Sequence, residues 1–312
     1  MKNITCPRKT PVGHDVLSKH TQPADTGYFT GKWIVAQTPD QRKALQGVYE
    51  HAKAHGVPMN WLSAAETQAR EPHVRSEAGA LESPWTRIVD SHSLMQSLLG
   101  EFEEAGGDVA LETVVKSIVP LGDSEKGYKV STSSGEVTAD IVINAAGLGA
   151  IDISNSILPE SRNMKSYFCK GTYFSYSKKY PVQTLIYPAP IKGLGGLGTH
   201  LTLDISGRLK FGPDVEWVED PTDLTPDKTR MAAAIAAIQT YLPDIDVGSL
   251  EVDYCGIRPK IKPPGEGGVG QVDFIIREED GFPGFINLLG IESPGMLSLF
   301  LECTLRTNAC KA

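Results

Sequence analysis

The chain has 312 residues, 40% of them hydrophobic and 22% charged, with a formal net charge of −8 at pH 7. This is soluble globular composition, long enough to bury a core without disulfide staples. The acidic balance, with no concentrated Lys/Arg block, excludes nucleic acid as a partner, and no apolar run approaches the roughly 20 residues that cross a bilayer.

Residues 1–29 show no sustained periodicity and are predicted to be a poorly ordered tail. A strand follows at Lys32–Gln37. Thr38-Pro39-Asp40 then opens a helix running to His55. Ser63 with Glu66 three residues on is a capping-box pattern, and Asp90-Ser91 caps a third helix that Gly106-Gly107 stops. Strands are expected at Val109–Leu111 and Val114–Val119, then a hairpin of Tyr128–Thr132 and Glu136–Thr138 turning at Ser134-Gly135. The apolar run Ile141–Gly147 suits a parallel strand buried on both faces, with a helix from Leu148. Residues 165–255 alternate as strands (Thr172–Ser177, Thr184–Tyr187, His200–Ile205, Arg208–Phe211), interrupted by a helix with Thr225 as N-cap and Pro226 at its first position. Short strands at Asp273–Ile276 and Phe285–Leu288 precede Ser293-Pro294-Gly295.

Several segments could carry chemistry. Gly193-Leu194-Gly195-Gly196-Leu197-Gly198 fits G-x-G-x-x-G by letter. A dinucleotide fingerprint needs a helix after it, however, and Thr199–Asp204 alternates as a strand, so the run reads as a loop. Asn144-Ala145-Ala146-Gly147 ends a strand in small residues, which allows close approach of either a cofactor or a packed helix. Gly290-Ile291-Glu292-Ser293-Pro294-Gly295-Met296 is a helix start, or a set of backbone N–H groups offered to an electron-rich ligand. Arg258, between Gly256 and Pro259, is expected on a stiff corner, where a guanidinium can hold a carboxylate in bidentate fashion; the alternative is a surface ion pair. His200 is a candidate general base or a structural histidine. No metal site is expected: His51 and His55 at i and i+4 lack an acidic companion. The five cysteines (Cys6, Cys169, Cys255, Cys303, Cys310) form no CxxC pair and read as reduced intracellular thiols.

Taken in order, Gly31–Ala36, Ile88–His92, Asn144–Leu148, Lys170–Phe174, Ile186–Pro190, Phe211–Asp214, Gly256–Lys260 and Ile291–Gly295 form a series. It resembles the L-2-hydroxyglutarate dehydrogenase branch of the FAD-dependent oxidoreductases related to D-amino-acid oxidase. The resemblance spans about residues 30 to 296. It implies an α/β (α+β) chain with an FAD-binding mixed sheet and helices, plus an antiparallel-sheet substrate domain. The division expected is 30–89 with 165–255 for substrate and 90–164 with 256–300 for a partial FAD-binding domain, flanked by atypical tails at 1–29 and 301–312.

The same resemblance implies oxidation of a 2-hydroxy acid to the 2-oxo acid, with FAD as cofactor and a quinone or other acceptor taking the electrons. It makes Arg258 and His200 catalytic and adds Tyr173 and Tyr187 to the substrate contacts. Val115, Ala145, Ala146, Gly147, Leu148, Gly290, Ile291, Glu292, Ser293, Pro294, Gly295 and Met296 would contact the cofactor. In eukaryotic relatives the setting is mitochondrial. The family's opening strand, phosphate turn and helix have no counterpart in residues 1–29. The expectation is therefore a truncated form with weakened FAD binding: each lost hydrogen bond to a charged oxygen is worth roughly 1.5–3 kcal/mol, and about 1.4 kcal/mol is one decade of affinity. Two other readings follow from the residues: a non-catalytic fragment that binds 2-hydroxy or 2-oxo dicarboxylates, and a flavin oxidase of amines or amino acids.

Overall fold

A computed structural model describes residues 30–122, 125–190, 198–264 and 272–295. It begins with β1 (Lys32–Val35), α1 (Pro39–Ala54), β2 (Asn60–Leu62), α2 (Ala64–Arg70), β3 (Ala80–Ser83) and α3 (Ser91–Glu104). The three helix starts lie where the sequence puts them. Thr38 accepts from Gln41 N, Ser63 and Glu66 form the reciprocal capping box, and the Asp90 carboxylate accepts from His92 N and Ser93 N.

The middle of the chain supplies β4 (Val115–Pro120), β5 (Tyr128–Thr132), β6 (Glu136–Ala139), β7 (Val142–Asn144) and α4 (Ala150–Ile157). Next come β8 (Tyr167–Tyr176), β9 (Leu185–Pro188), β10 (His200–Leu203), β11 (Leu209–Gly212), β12 (Glu216–Val218) and α5 (Met231–Gln239). β13 (Leu250–Lys260), β14 (Ile275–Glu278) and β15 (Phe285–Leu289) complete the described strands.

A nine-stranded mixed sheet in the order β12-β8-β11-β10-β9-β1-β3-β2, with β13 also on β8, dominates the molecule. All its ladders are antiparallel except β1 with β9. Because side chains alternate across a strand, Trp33, Val35, Ile186, Leu201, Phe211 and Phe174 share one face. Each is at most 1% exposed, and with Ala234 and Ile238 of α5 and Tyr241 just beyond it they form one core. Full burial of each large apolar side chain is worth about 1.5–3 kcal/mol. The opposite face carries Lys32, Tyr187, His200 and Tyr173, all half-buried. Two three-stranded sheets, β14-β15-β7 and β4-β5-β6, make up the rest.

Four expectations are corrected. Val109–Leu111 is not a strand: Leu111 is 80% exposed and unpaired, and Glu112 takes a positive φ that breaks any extended run. Residues 141–147 do not form a strand buried on both faces. β7 is parallel as expected, its partner being β15, but it pairs with no second strand among the described residues, and Ile143 is 59% exposed. Thr225 does not cap the Ala-rich helix. Its backbone is held by Asp223 and Lys170, and Asp227 instead caps a 3-10 turn at Lys228–Arg230 that leads into α5. Finally, Arg258 sits on no corner but within β13, where Pro259 is tolerated because β13 pairs only with β8 among the described residues.

Candidate functional site

Ladder register assembles a row of groups on the open face of the large sheet. Leu201 pairs with Ile186, which brings His200 on β10 beside Tyr187 on β9; their rings stack at 4.0 Å with planes 23° apart. On its other side His200 pairs with Gly212 of β11, and Phe211 pairs with Phe174, so Tyr173 is the next residue across. Gly212 contributes no side chain to the row. Its φ of +122° and a virtual Cβ only 2.7 Å from Thr172 O leave room for glycine alone. Beyond Tyr173, β13 is irregular between Val252 and Cys255, and the one extra residue places the Tyr254 ring on that of Tyr173 at 4.7 Å. Asp214 fastens the following turn to β8 by accepting from Thr172 N at 2.7 Å and pairing with Arg230.

The electrostatics of the row favour a neutral base. His200 Nδ1 lies 3.1 Å from Gly198 O. A carbonyl only accepts, so Nδ1 carries the proton and Nε2 is the basic nitrogen. Burial lowers the His200 pKa to about 4, and the charges of Lys32 and Arg258 act in the same direction against the opposing Gly198 contact. The imidazole is thus unprotonated at neutral pH. Burial, assisted by Tyr173, pushes the Tyr187 phenol up to about 12. Burial and Tyr254 also raise Tyr173, with Arg258 opposing them. Both phenols remain protonated donors.

Arg258 pairs in register with Cys169, its Nη1 3.8 Å from that thiol, and no carboxylate among the described residues forms an ion pair with it. Two residues on, Lys260 binds Glu292 at 2.5 Å. That contact joins β13 to the turn after β15.

The residues proposed for a cofactor gather at the carboxyl ends of the parallel strands β7 and β15, the end at which open α/β sheets bind ligands. Ala145, Ala146 and Gly147 leave β7 with exposed backbone, and nothing lies within 4 Å of a virtual Cβ on Gly147. Leu148 lies in the 3-10 turn that packs on β13. Gly290, Ile291, Glu292, Ser293, Pro294 and Gly295 leave the adjacent β15, and Gly290, with φ +68°, closes against Ile261. Val115 opens β4, on the separate small sheet against which α4 packs. Met296, Gly193–Leu197 and both expected tails lie outside the described residues; Gly198 leads into β10, so the glycine run is followed by a strand.

Below these segments, β7 and β15 are locked by a buried polar network. Asn144 Nδ2 donates to Asn287 Oδ1 at 2.8 Å and to Ala150 O at 2.7 Å. Asn287 Nδ2 donates to Glu279 Oε1 and Ser154 Oγ. The network fixes the angle at which the small-residue turn leaves β7.

Sequence reasoning missed two members of the row. Lys32 has its Nζ 4.9 Å from the Tyr187 ring centroid, and Tyr254 stacks on Tyr173. The signal for Lys32 was its parity: on a strand whose Trp33 and Val35 face the core, residue 32 must face the other way. Nothing in the sequence marked the irregularity that aims Tyr254. The His51 and His55 rings lie 4.4 Å apart, tilted by 40°, at the exposed carboxyl end of α1, and no group of metal-ligand type occurs among the described residues. No described helix is long and apolar enough to cross a membrane.

A model of the FAD dependent oxidoreductase family matches residues 14–301, starting earlier than the resemblance read from the sequence. Mitochondrial L-2-hydroxyglutarate dehydrogenase of Arabidopsis thaliana is 34% identical over 86% of this chain and 63% of its own length. Glycerol 3-phosphate dehydrogenase of Caloramator mitchellensis is 26% identical over 86% of this chain and 54% of its own. The chain thus spans less than two thirds of these curated relatives. Among solved structures, FAD-bound L-alpha-glycerophosphate oxidase from Mycoplasma pneumoniae superposes with a TM-score of 0.79 at 19% identity, covering 96% of this chain and 79% of that one. Glycine oxidase from Geobacillus kaustophilus gives 0.74 at 19% identity, covering 97% and 76%.

Proposed function

The chain belongs to the FAD-dependent oxidoreductase family, and from that premise we propose that it serves oxidation of a small 2-hydroxy acid of the L-2-hydroxyglutarate class to the 2-oxo acid. The observation that carries this reading is a neutral histidine and an arginine with no carboxylate partner among the described residues, set on one face of the large sheet. Arg258 is suited to grip the carboxylate next to the reacting carbon, since a guanidinium matches its two oxygens. His200 Nε2 accepts the hydroxyl proton as the carbon is oxidised. Tyr173 and Tyr187, held as donors, orient the substrate oxygens.

The small-residue turn after β7 fits a flavin, because nothing lies within 4 Å of a virtual Cβ on Gly147, and Lys260–Glu292 ties the turn after β15 to the strand bearing Arg258. Ala145–Leu148, Gly290–Gly295 and Val115 would hold it. When bound, the flavin supplies the two-electron acceptor, which a quinone or another acceptor would reoxidise. The name of the Arabidopsis relative supports a mitochondrial setting.

The test is the visible spectrum of the purified chain after incubation with FAD and desalting, followed by anaerobic addition of L-2-hydroxyglutarate. Retained flavin bands that bleach on addition support the reading, with the acid limb of the pH profile near 4, where His200 titrates. Arg258→Ala is expected to cut kcat/KM by roughly 10- to 100-fold, as for loss of a charge-assisted contact. Bleaching by glycerol 3-phosphate or glycine but not by the hydroxy acid would refute the substrate class.

A further inference from the structure

Lys32 is the one charged member of the row to which the proposed reaction gives no task. It lies on β1 beyond Tyr187, with Nζ 4.9 Å from that ring, while Tyr187 stacks on His200 from the same side. Its partners across the ladders are Ser83 on β3 and Leu185 on β9, neither of them charged. No carboxylate among the described residues forms an ion pair with it, and burial lowers its pKa. The carboxylate on the neighbouring strand β3, Glu82, faces the other way and is taken up by Trp33, Asn60 and Arg70.

A desolvated ammonium without a counter-ion is costly, and a ring face restores only part of its hydration. Proteins rarely keep such a charge unless something binds it. The register also puts Lys32 and Arg258 on opposite sides of His200, since Lys32 comes from the β9 side and Arg258 from the β8 side. On the β9 side the Lys32 ammonium lies 4.9 Å from the ring of Tyr187, which itself stacks on His200 at 4.0 Å. A hydroxy acid gripped through its first carboxylate at Arg258, with its hydroxyl at His200, therefore points its far end toward Lys32.

We propose that Lys32 is a specificity-determining residue that binds the distal carboxylate of a dicarboxylate, so that the site selects four- or five-carbon diacids over monoacids of similar size. This rests on the functional reading above and extends it to a group remote from the reacting carbon. No bond to the substrate forms or breaks at Lys32. Its ammonium exchanges a partly desolvated, unpaired state for a charge-assisted hydrogen bond.

Titration calorimetry of the FAD-incubated chain with 2-oxoglutarate and with 2-oxobutyrate decides the matter, for wild type, Lys32→Met and Lys32→Arg. The wild type is expected to prefer the diacid by roughly tenfold or more, the worth of one charge-assisted contact. Lys32→Met should abolish that preference while leaving monoacid affinity unchanged, and Lys32→Arg should retain part of it. Lys32→Met is also expected to melt no lower than wild type, because it removes a partly desolvated charge that no carboxylate among the described residues pairs; a merely structural lysine would lower the melting temperature instead. If both acids bind but Lys32→Met weakens them equally or not at all, the Lys32 assignment falls and the Arg258 site stands. If wild type binds neither acid, the functional reading falls, and this inference with it.

Discussion

The nine-stranded sheet and the two small sheets solve the same problem with different completeness. In the large sheet, period-two alternation is carried through strand after strand, and its apolar face closes on α5 to leave Phe174, Phe211 and Ile186 fully buried. In the small sheets the same kind of alternation ends at water. Val137 is 58% exposed, Val119 49% and Ile143 59%, and their buried clusters hold only three residues each. Stability therefore resides chiefly in the sheet that carries Arg258 and His200. The turns offered to a cofactor hang from the part with less apolar burial, held by polar bonds instead. A molecule whose regions differ in this way can open its small sheets without opening the large one.

The sharpest way to break this contrast is to empty the large core. Phe174→Ala removes a fully buried ring from the centre of β8. It is expected to cost about 3–5 kcal/mol, the usual range for an aromatic-to-alanine cavity, read as a shift in the urea midpoint. A comparable loss from Ile118→Ala, whose cluster is small, would show that the two regions unfold as one unit. Hydrogen exchange that is slow in β8 and fast in β5 would show that they do not.

The next effect tests the polar bonds that stand in for apolar burial. Glu279 is 1% exposed and bonded to Asn287, Arg277 and Arg162. Burial by itself would raise its pKa, but the hydrogen bonds from Asn287 and Arg277, with attraction from both arginines, outweigh burial and leave it below the ordinary value of 4.5. A carboxylate whose folded pKa is depressed adds stability above its unfolded pKa and loses that contribution as pH falls through the folded value. Glu279→Gln is expected to cost roughly 1–3 kcal/mol at pH 7, because both arginines are partly exposed and screened. The difference from wild type should shrink in acid below pH 4.5. A loss that stays constant with pH would mean that the shape of the side chain matters and its charge does not.

How legible each region was follows the same divide. Helix starts and most strands of the large sheet could be read because local chemistry sets them: Thr38, Ser63 and Asp90 cap with their own side chains. The row of His200, Tyr187 and Tyr173 was reached through resemblance, since only pairing register brings three distant strands side by side. Lys32 went unread because its strand was judged by its apolar members. The run at 141–147 was misread for the opposite reason: apolar composition suggested burial on both faces, but burial depends on what packs against a strand, and β7 has a single neighbour among the described residues. The strand expected at Val109–Leu111 failed because nothing pairs with it, which composition cannot reveal.

The smallest expected effect is also the most discriminating for the small sheets. Ile143 lies on β7 between Val142 and the buried Asn144, with its side chain largely in water. Ile143→Thr keeps the β-branch and with it the strand preference. It deletes no buried contact, so stability should move by no more than about 0.5 kcal/mol. The change should show in self-association: a short, solvent-facing apolar strand with an open edge is a pairing hazard, and a hydroxyl there reduces it. Light scattering of the variant at rising concentration is expected to fall below wild type while the urea midpoint stays fixed. A drop in the midpoint as large as that of Phe174→Ala would mean that Ile143 is buried in solution, and the contrast between the two regions would then be lost.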